Sequence, residues 1–300
     1  MQTSLSQDWA QEIAKQLLSR DLMRKGTCLV LGSADTGKTA LVAAIAKHAS
    51  LSQPVGIVDA DIGQSHIGPP TTVGWAIVDG PKADFSQLAI GGISFVGDIA
   101  PTGHLLQLTA AIIQCVQQAS KATKLIIIDT PGFIYGPAAW VLWWTVQRIL
   151  QPELILAVEC DDEMSDILGG LPGYGGLRPD EQFRSSKFEL IKCPPQLPAK
   201  SPHERRNYRQ NQFNKYFRHS CLYNIKLSDV AVQTTRNSSG KNLVNRLIAL
   251  SDGKGKDLAI GLITNWQYGN DIVEVRSPQL DIQQVRFLVV GDITINIADG

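Results

Sequence analysis

The chain has 300 residues, 28 basic and 28 acidic side chains, a formal charge of zero and 44% hydrophobic residues. That length buries a full core and favours two domains. The balanced charge excludes a global field toward nucleic acid or membrane, so any such attraction must come from a local patch. The five cysteines, Cys28, Cys115, Cys160, Cys193 and Cys221, contain no C-x-x-C pair; this predicts free thiols in a reducing compartment. Residues 1–5 show no basic region leading into an apolar stretch, so no secretory signal is expected. The most apolar stretch, Ala138–Leu150, is too short for a bilayer and carries Gln147 and Arg148. The expected setting is the cytoplasm, or the nucleus where there is one, without membrane association.

In chain order, Trp9, Ile13, Leu17 and Leu18 recur at helical spacing and predict an amphipathic helix over about Gln7–Arg20. Cys28-Leu29-Val30-Leu31 reads as a buried strand, followed by a glycine-bounded loop and the helical run from Ala40. Further strands are predicted at Val55–Val58, Ile93–Gly97, Leu125–Ile128 and Leu154–Val158, with helices over Leu105–Ser120 and the tryptophan-rich Ala138–Leu150 between them. Short apolar runs alternating with helices indicate an α/β domain, a mostly parallel sheet covered on both faces, with functional residues at the carboxyl ends of the strands. From Gly169 the texture changes. Gly169–Gly176 and Cys193–Pro195 read as loop, and a polar, basic, helical stretch follows, from Ser201 to Phe217. Beyond Cys221, short runs such as Ile260–Ile263, Ile272–Val275 and Phe287–Val290 predict a small, mainly β domain over residues 220–300, after a P-loop domain over 1–219 with a lid segment near 200–219.

The chemistry starts at Gly32-Ser33-Ala34-Asp35-Thr36-Gly37-Lys38-Thr39, a G-x-x-x-x-G-K-T run between a strand and a helix. Its glycines let successive N–H groups, with that of Ala40 in the first helical turn, face phosphate oxygens at the positive end of a helix dipole. Lys38 reaches β- and γ-phosphates, and Thr39 offers a hydroxyl to Mg²⁺. Asp59 and Asp61 stand two apart at a strand end, so extended geometry would project both carboxylates to one side. One can hold Mg²⁺ through water and the other accept a proton; equally, the pair can be an ordinary turn-forming motif. Asp129, after four apolar residues, stands where P-loop proteins carry their metal-water carboxylate, and Thr130-Pro131-Gly132 would rim the γ-phosphate. Between Lys200 and His219 six basic residues face one acid, Glu204, a composition suited to phosphate or to a solvated helix face. The acidic run Glu159, Asp161, Asp162, Glu163, Asp166 is assigned no chemistry, and the histidines show no metal-ligand spacing.

Together, G-S-A-D-T-G-K-T at Gly32, D-A-D-I-G-Q at Asp59, P-P-T-T-V-G at Pro69 and T-P-G-F at Thr130 resemble the polynucleotide 5′-hydroxyl kinases of RNA processing. Trp9, the segment Phe95–Leu105, the pair Arg206-x-x-Arg209 and the C-terminal β runs fit the same pattern, so the resemblance covers nearly the whole chain. It implies a three-layer P-loop fold and transfer of the γ-phosphate of ATP, with Mg²⁺, to the 5′-hydroxyl of RNA or DNA. Asp61 would be the base, Asp59 a metal-water or supporting carboxylate, and Asp129 a helper of Mg²⁺. Gln64 and Thr130 would position phosphate or substrate, and Arg206 and Arg209 would form a lid over the γ-phosphate. Phe133 stands where the family usually has tryptophan, offering the terminal nucleotide a smaller stacking face without the indole N–H. Pro70-Thr71 replaces the family's frequent Pro-Gly. No counterpart of the N-terminal β domain of larger members is expected, and protein partners are not implied. Some members of the resembled family bind ATP without transferring phosphate, so a scaffold or regulatory ATPase is the alternative. A GTPase fits less well, since no N-K-x-D or T-K-x-D follows a late strand.

Overall fold

The structure, a computed structural model, describes the chain except for residues 1, 21, 81–84, 172–173, 175–185, 195–196, 235–242, 267–270 and 297–300; at 2–5, 86 and 234 only the backbone is described. Half of the glycine-rich stretch 169–176, and Pro195, therefore lie outside the described residues. In order come α1 (Gln2–Ser19), β1 (Gly26–Gly32), α2 (Lys38–Ala49), β2 (Val55–Asp59), β3 (Thr72–Val78), β4 (Ile90–Phe95), α3 (Leu105–Ala119), β5 (Leu125–Asp129), α4 (Gly136–Leu150), β6 (Leu154–Glu159), α5 (Ser165–Gly169) and β7 (Lys187–Lys192). After α6 (Pro202–Phe217) the chain is almost entirely strand: β8 (Ser220–Lys226), β9 (Ala231–Thr234), β10 (Arg246–Ser251), β11 (Asp257–Trp266), β12 (Ile272–Pro278) and β13 (Phe287–Thr294).

The first half is the expected three-layer α/β domain. Its strands run in the order β7-β6-β1-β5-β2-β3-β4, parallel from β7 to β2 and antiparallel across β3 and β4. Alternation along β1 feeds both layers: Cys28 and Val30 pack with α1 and α2, whereas Leu29 and Leu31 pack with α3 and α4. The tryptophan-rich helix is half core and half surface, with Trp143 fully buried and Trp140 stacked on Trp144. One face packs on the core while Val141 and Ile149 stay exposed, and no helix among the described residues is long and apolar enough to cross a membrane.

Two strands of this half carry little strand signal in the sequence. In β3, Thr72–Val78 was noticed only as a P-P-T-T-V-G motif, and its polar start hides a run buried by pairing with β2 and β4. In β7, Lys187–Lys192 is a mostly exposed edge strand whose charged alternation carries little apolar signal. The strand expected over Ile93–Gly97 instead runs Ile90–Phe95, because Val96 and Gly97 turn to bond the Thr71 carbonyl. The cysteine expectation also needs correction. Cys160 and Cys193 form a disulfide where β6 and the segment after β7 end side by side, leaving Cys28, Cys115 and Cys221 free.

The second half is a β assembly, β4-β11-β10-β13-β9 with β12 and β8 alongside, joined to the first half by the β4–β11 contact at Ile93 and Asp257. Its inner faces bury Ile248, Leu250, Val273, Val275 and Leu288. α6 lies across both halves. Its Phe213 and Phe217 pack with Leu247, Ile260 and Leu262, and the Tyr216 hydroxyl accepts from the Ile260 N–H at 2.9 Å.

Candidate active site

The parallel topology brings the carboxyl ends of β1, β2 and β5 together, and the loops leaving them wall a cleft of about 740 Å³. Gly37, with φ of 89°, ends the P-loop in a left-handed conformation and leaves α2 without a side-chain cap. The first-turn N–H groups, Lys38 to Ala40, are thus presented to an anion. Thr36 Oγ1 donates to the Ser33 carbonyl at 3.0 Å and Ser33 Oγ to Glu163 Oε1 at 3.1 Å, so one member of the acidic run props the loop.

Lys38 is only 6% exposed, its Nζ donating to the Ser33 carbonyl. Burial lowers its affinity for the proton, while the carboxylates of Asp129, Asp61 and Asp35 oppose that shift. Asp129, at the end of β5, is 1% exposed. It takes a hydrogen bond from the Thr39 hydroxyl while its Oδ1 remains buried without a protein partner. Burial and the nearby Asp59 hold its carboxyl well above the ordinary carboxylate range.

The D-x-D pair divides clearly. Asp59 Oδ1 accepts from the Asp61 N–H at 3.1 Å, and Oδ2 from the N–H groups of His66 at 2.5 Å and Ile67 at 3.0 Å. Buried at 1% exposure, with its proton affinity raised by desolvation, it is the post on which loop 61–67 is hung. Asp61 is half-buried and faces the cleft; its Oδ1 accepts from the N–H groups of Gly63 and Gln64 at 3.1 and 3.0 Å. Gln64 also lines the cleft, with Nε2 bonded to the Gly63 carbonyl and Oε1 buried without a partner.

Across the cleft, Thr130-Pro131-Gly132 packs directly on the P-loop. A Cβ at Gly132 would lie 2.4 Å from the Ala34 nitrogen, so only glycine permits this approach. Thr130 lines the cleft with its Oγ1 proton donated to the Val30 carbonyl at 2.6 Å, which leaves the hydroxyl only its acceptor side for a substrate. Phe133 lines the cleft with a half-buried ring, its carbonyl held by Trp143 Nε1 at 2.6 Å.

The basic arm is α6, begun by a Ser201–Glu204 capping box. Arg205 and Arg209, one turn apart, line the cleft, whereas Arg206 is exposed and off its wall. Residues three and four apart share a helix face alike, so spacing leaves Arg205 and Arg206 equivalent beside Arg209, and the phase of α6 selects Arg205 in place of the expected Arg206. Arg205 also pairs with Asp35 of the P-loop, and the Lys200 N–H donates to the same carboxylate at 3.1 Å. Tyr208 Oη and Gln212 Nε2 donate to the Ser65 carbonyl at 3.0 and 3.3 Å, tying the arm to the D-x-D loop. Leu197, Pro198 and Ile99–Pro101 also line the cleft, apolar or loop positions without a residue-type signature.

A strand–P-loop–helix with a carboxylate at the adjacent strand end, an acidic second loop and an arginine-bearing helix across the cleft defines a P-loop nucleotide-binding protein. Residues 32–219 match the family model described as the mRNA cleavage and polyadenylation factor CLP1 P-loop, and the chain belongs to that family. It is similar to a polyribonucleotide 5′-hydroxyl-kinase of Pyrococcus horikoshii, 29% identical over 78% of this chain and 63% of the relative. A protein of the same name from Pyrococcus abyssi is 30% identical over 74% of this chain and 59% of its own. The Pyrococcus furiosus one is 26% identical over 94% and 90%. The chain thus spans about three fifths of the first two relatives. A solved Clp1p–Pcf11p complex shares the fold, with a TM-score of 0.69 at 13% identity over 96% of this chain and 79% of that one.

Proposed function

We propose that the protein is an ATP-dependent polynucleotide 5′-hydroxyl kinase acting on RNA ends, in the cytoplasm, as part of RNA processing. The observation carrying this reading is the cleft itself: the P-loop amides on one side, Asp61 on another, and Arg205 and Arg209 on the helix above. The relatives' names support RNA as the acceptor.

The 5′-hydroxyl oxygen attacks the γ-phosphorus, forming a P–O bond as the bond to the β,γ-bridging oxygen breaks and ADP leaves. Asp61 takes the hydroxyl proton, being the acid of the pair with an oxygen not committed to loop N–H groups. Lys38 and the loop N–H groups hold the β- and γ-phosphates, and contact with phosphate opposes the burial that lowers the lysine's affinity for its proton. Arg209 neutralises charge spreading over the transferring oxygens, and Arg205 orders the arm through Asp35. Gln64 Oε1 is suited to accept from a substrate hydroxyl, and Phe133 to stack on the terminal base. The Thr39 hydroxyl and the unpartnered Asp129 Oδ1 fit Mg²⁺, which when bound would neutralise phosphate charge.

Transfer of labelled phosphate from ATP to 5′-hydroxyl RNA, 5′-hydroxyl DNA and 5′-phosphate RNA tests the proposal. Labelling of 5′-hydroxyl RNA alone or preferentially is expected. Tight ATP binding without labelling of any oligonucleotide would refute the kinase and favour a nucleotide-bound scaffold.

A further inference from the structure

Away from the cleft, three side chains from two halves of the molecule converge. His104, the residue just before α3, is 1% exposed. Its Nε2 lies 3.3 Å from Asp98 Oδ2 and 3.4 Å from Asp292 Oδ2, the former in the loop after β4 and the latter on β13. Neither imidazole nitrogen has a hydrogen-bond partner, so a buried polar ring points its Nε2 at two carboxylate oxygens without bonding either. Charge-assisted N–H···O contacts run at about 2.7–2.9 Å, well below these separations. Tetrahedral zinc bonds of about 2.0–2.1 Å place neighbouring ligand atoms about 3.3–3.4 Å apart. The observed distances have that value, and the three ligand atoms all lie within 4.8 Å of one another.

We propose that Asp98, His104 and Asp292 form a binding site for a first-row divalent cation, Zn²⁺ by preference. Mixed imidazole and carboxylate donors suit Zn²⁺ better than Ca²⁺ or Mg²⁺, which favour oxygen-only shells. The half-buried Asp98 leaves a side open to a fourth, water ligand.

The supporting contacts orient each donor. Asp98 Oδ1 accepts from the N–H groups of Ile99 and Ala100 at 2.6 and 3.1 Å, turning Oδ2 toward the imidazole. Asp292 donates its N–H to the Gly97 carbonyl at 2.8 Å, and its Oδ1 faces Arg246 at 3.6 Å. The His104 N–H donates to the Pro101 carbonyl at 2.9 Å. Arg246 reduces the local negative charge, which moderates affinity without removing a donor. Bound there, the cation would fasten loop 97–104 to β13. That loop supplies Ile99, Ala100 and Pro101 to the cleft wall, so the site would brace the wall from behind.

The test uses the full-length chain with Cys221→Ser, which removes its one exposed free thiol among the described residues, stripped with chelator and free of nucleotide. Zinc content by mass spectrometry and thermal unfolding are followed as ZnCl₂ is added. One tightly held equivalent and a rising Tm are expected, with Co²⁺ giving a tetrahedral nitrogen–oxygen absorption spectrum. His104→Gln and Asp292→Asn should weaken binding roughly 100-fold, in line with losses at metal sites. If His104→Gln fails to fold, Asp98→Asn, at a half-exposed position, carries the same expectation. Zinc held equally well by these variants would overturn the proposal. So would instability of His104→Gln in a parent protein whose Tm ignores Zn²⁺, which would make the trio a structural polar cluster without a metal.

Discussion

Replacing Asp61 and Asp59 in turn by asparagine separates chemistry from architecture. In Asp61→Asn the amide oxygen can keep both bonds from Gly63 and Gln64, and the NH₂ turns into the cleft. Stability should barely move, whereas loss of a positioned base should cut kcat by about 10²–10⁴, equivalent to about 3–5 kcal/mol of barrier. Asp59→Asn cannot be accommodated in the same way. Both its oxygens accept backbone N–H groups, so one must meet the NH₂ as donor against donor. A buried unsatisfied pair of that kind costs about 1–3 kcal/mol, read as a lower Tm and as weakened RNA binding through a loosened loop 61–67. Single-turnover transfer kinetics with saturating ATP, alongside calorimetric unfolding, measure both quantities. Near-normal single-turnover rates in Asp61→Asn, with the loss appearing in Asp59→Asn at unchanged Tm, would reverse the two roles.

Arg209→Ala should slow transfer by 10²-fold or more, on the scale of about 10³–10⁵ for arginine fingers, and lysine should not rescue it; Arg206→Ala should stay within a few-fold. Equal losses at both positions would show that the arm rotates on substrate binding. Phe133→Ala should raise the KM for RNA while leaving that for ATP unchanged, since base–aromatic stacking contributes about 1–3 kcal/mol. Gly132→Ala should weaken ATP binding at least tenfold by displacing the P-loop at Ala34, measurable by fluorescent-nucleotide titration; unchanged affinity would mean the loops separate freely. Lys38→Met, which keeps the buried stem, should leave the Tm near the parent value and abolish transfer, and retained labelling would remove the lysine from the mechanism.

Elements built from continuous apolar runs were legible in the chain because burial on both sheet faces demands such runs: β1, β2, β5 and β6 are buried along most or all of their length. The strands β3 and β7 were not, since a polar entry and a charged edge dilute the signal. Motif residues such as Lys38, Asp61 and Asp129 were found because phosphate and metal chemistry restricts the residue type. Whether Thr130 spends its hydroxyl on Val30, or Arg205 rather than Arg206 turns inward, depends on register and helix phase, which residue type alone does not encode. The Cys160–Cys193 pairing is likewise a product of β6 lying beside β7, an edge strand whose charged residues hide it in the sequence.

The anchoring of α6 has a consequence for motion. Its last two turns are rooted by Phe213, Tyr216 and Phe217 in the C-terminal strands, while its first two reach over the cleft through Arg205 and Tyr208. Swinging the whole helix outward would strip Phe213 and Phe217, now 3% and 4% exposed, from their seats. Opening is therefore cheapest as a local unravelling of residues 201–209 about a fixed stump, in the manner of a hinge pin that never leaves its socket. Nucleotide exchange would then leave the C-terminal half still. A covalent tether between the end of α6 and β11 should permit full turnover, while one between α6's first turn and the P-loop should stop it.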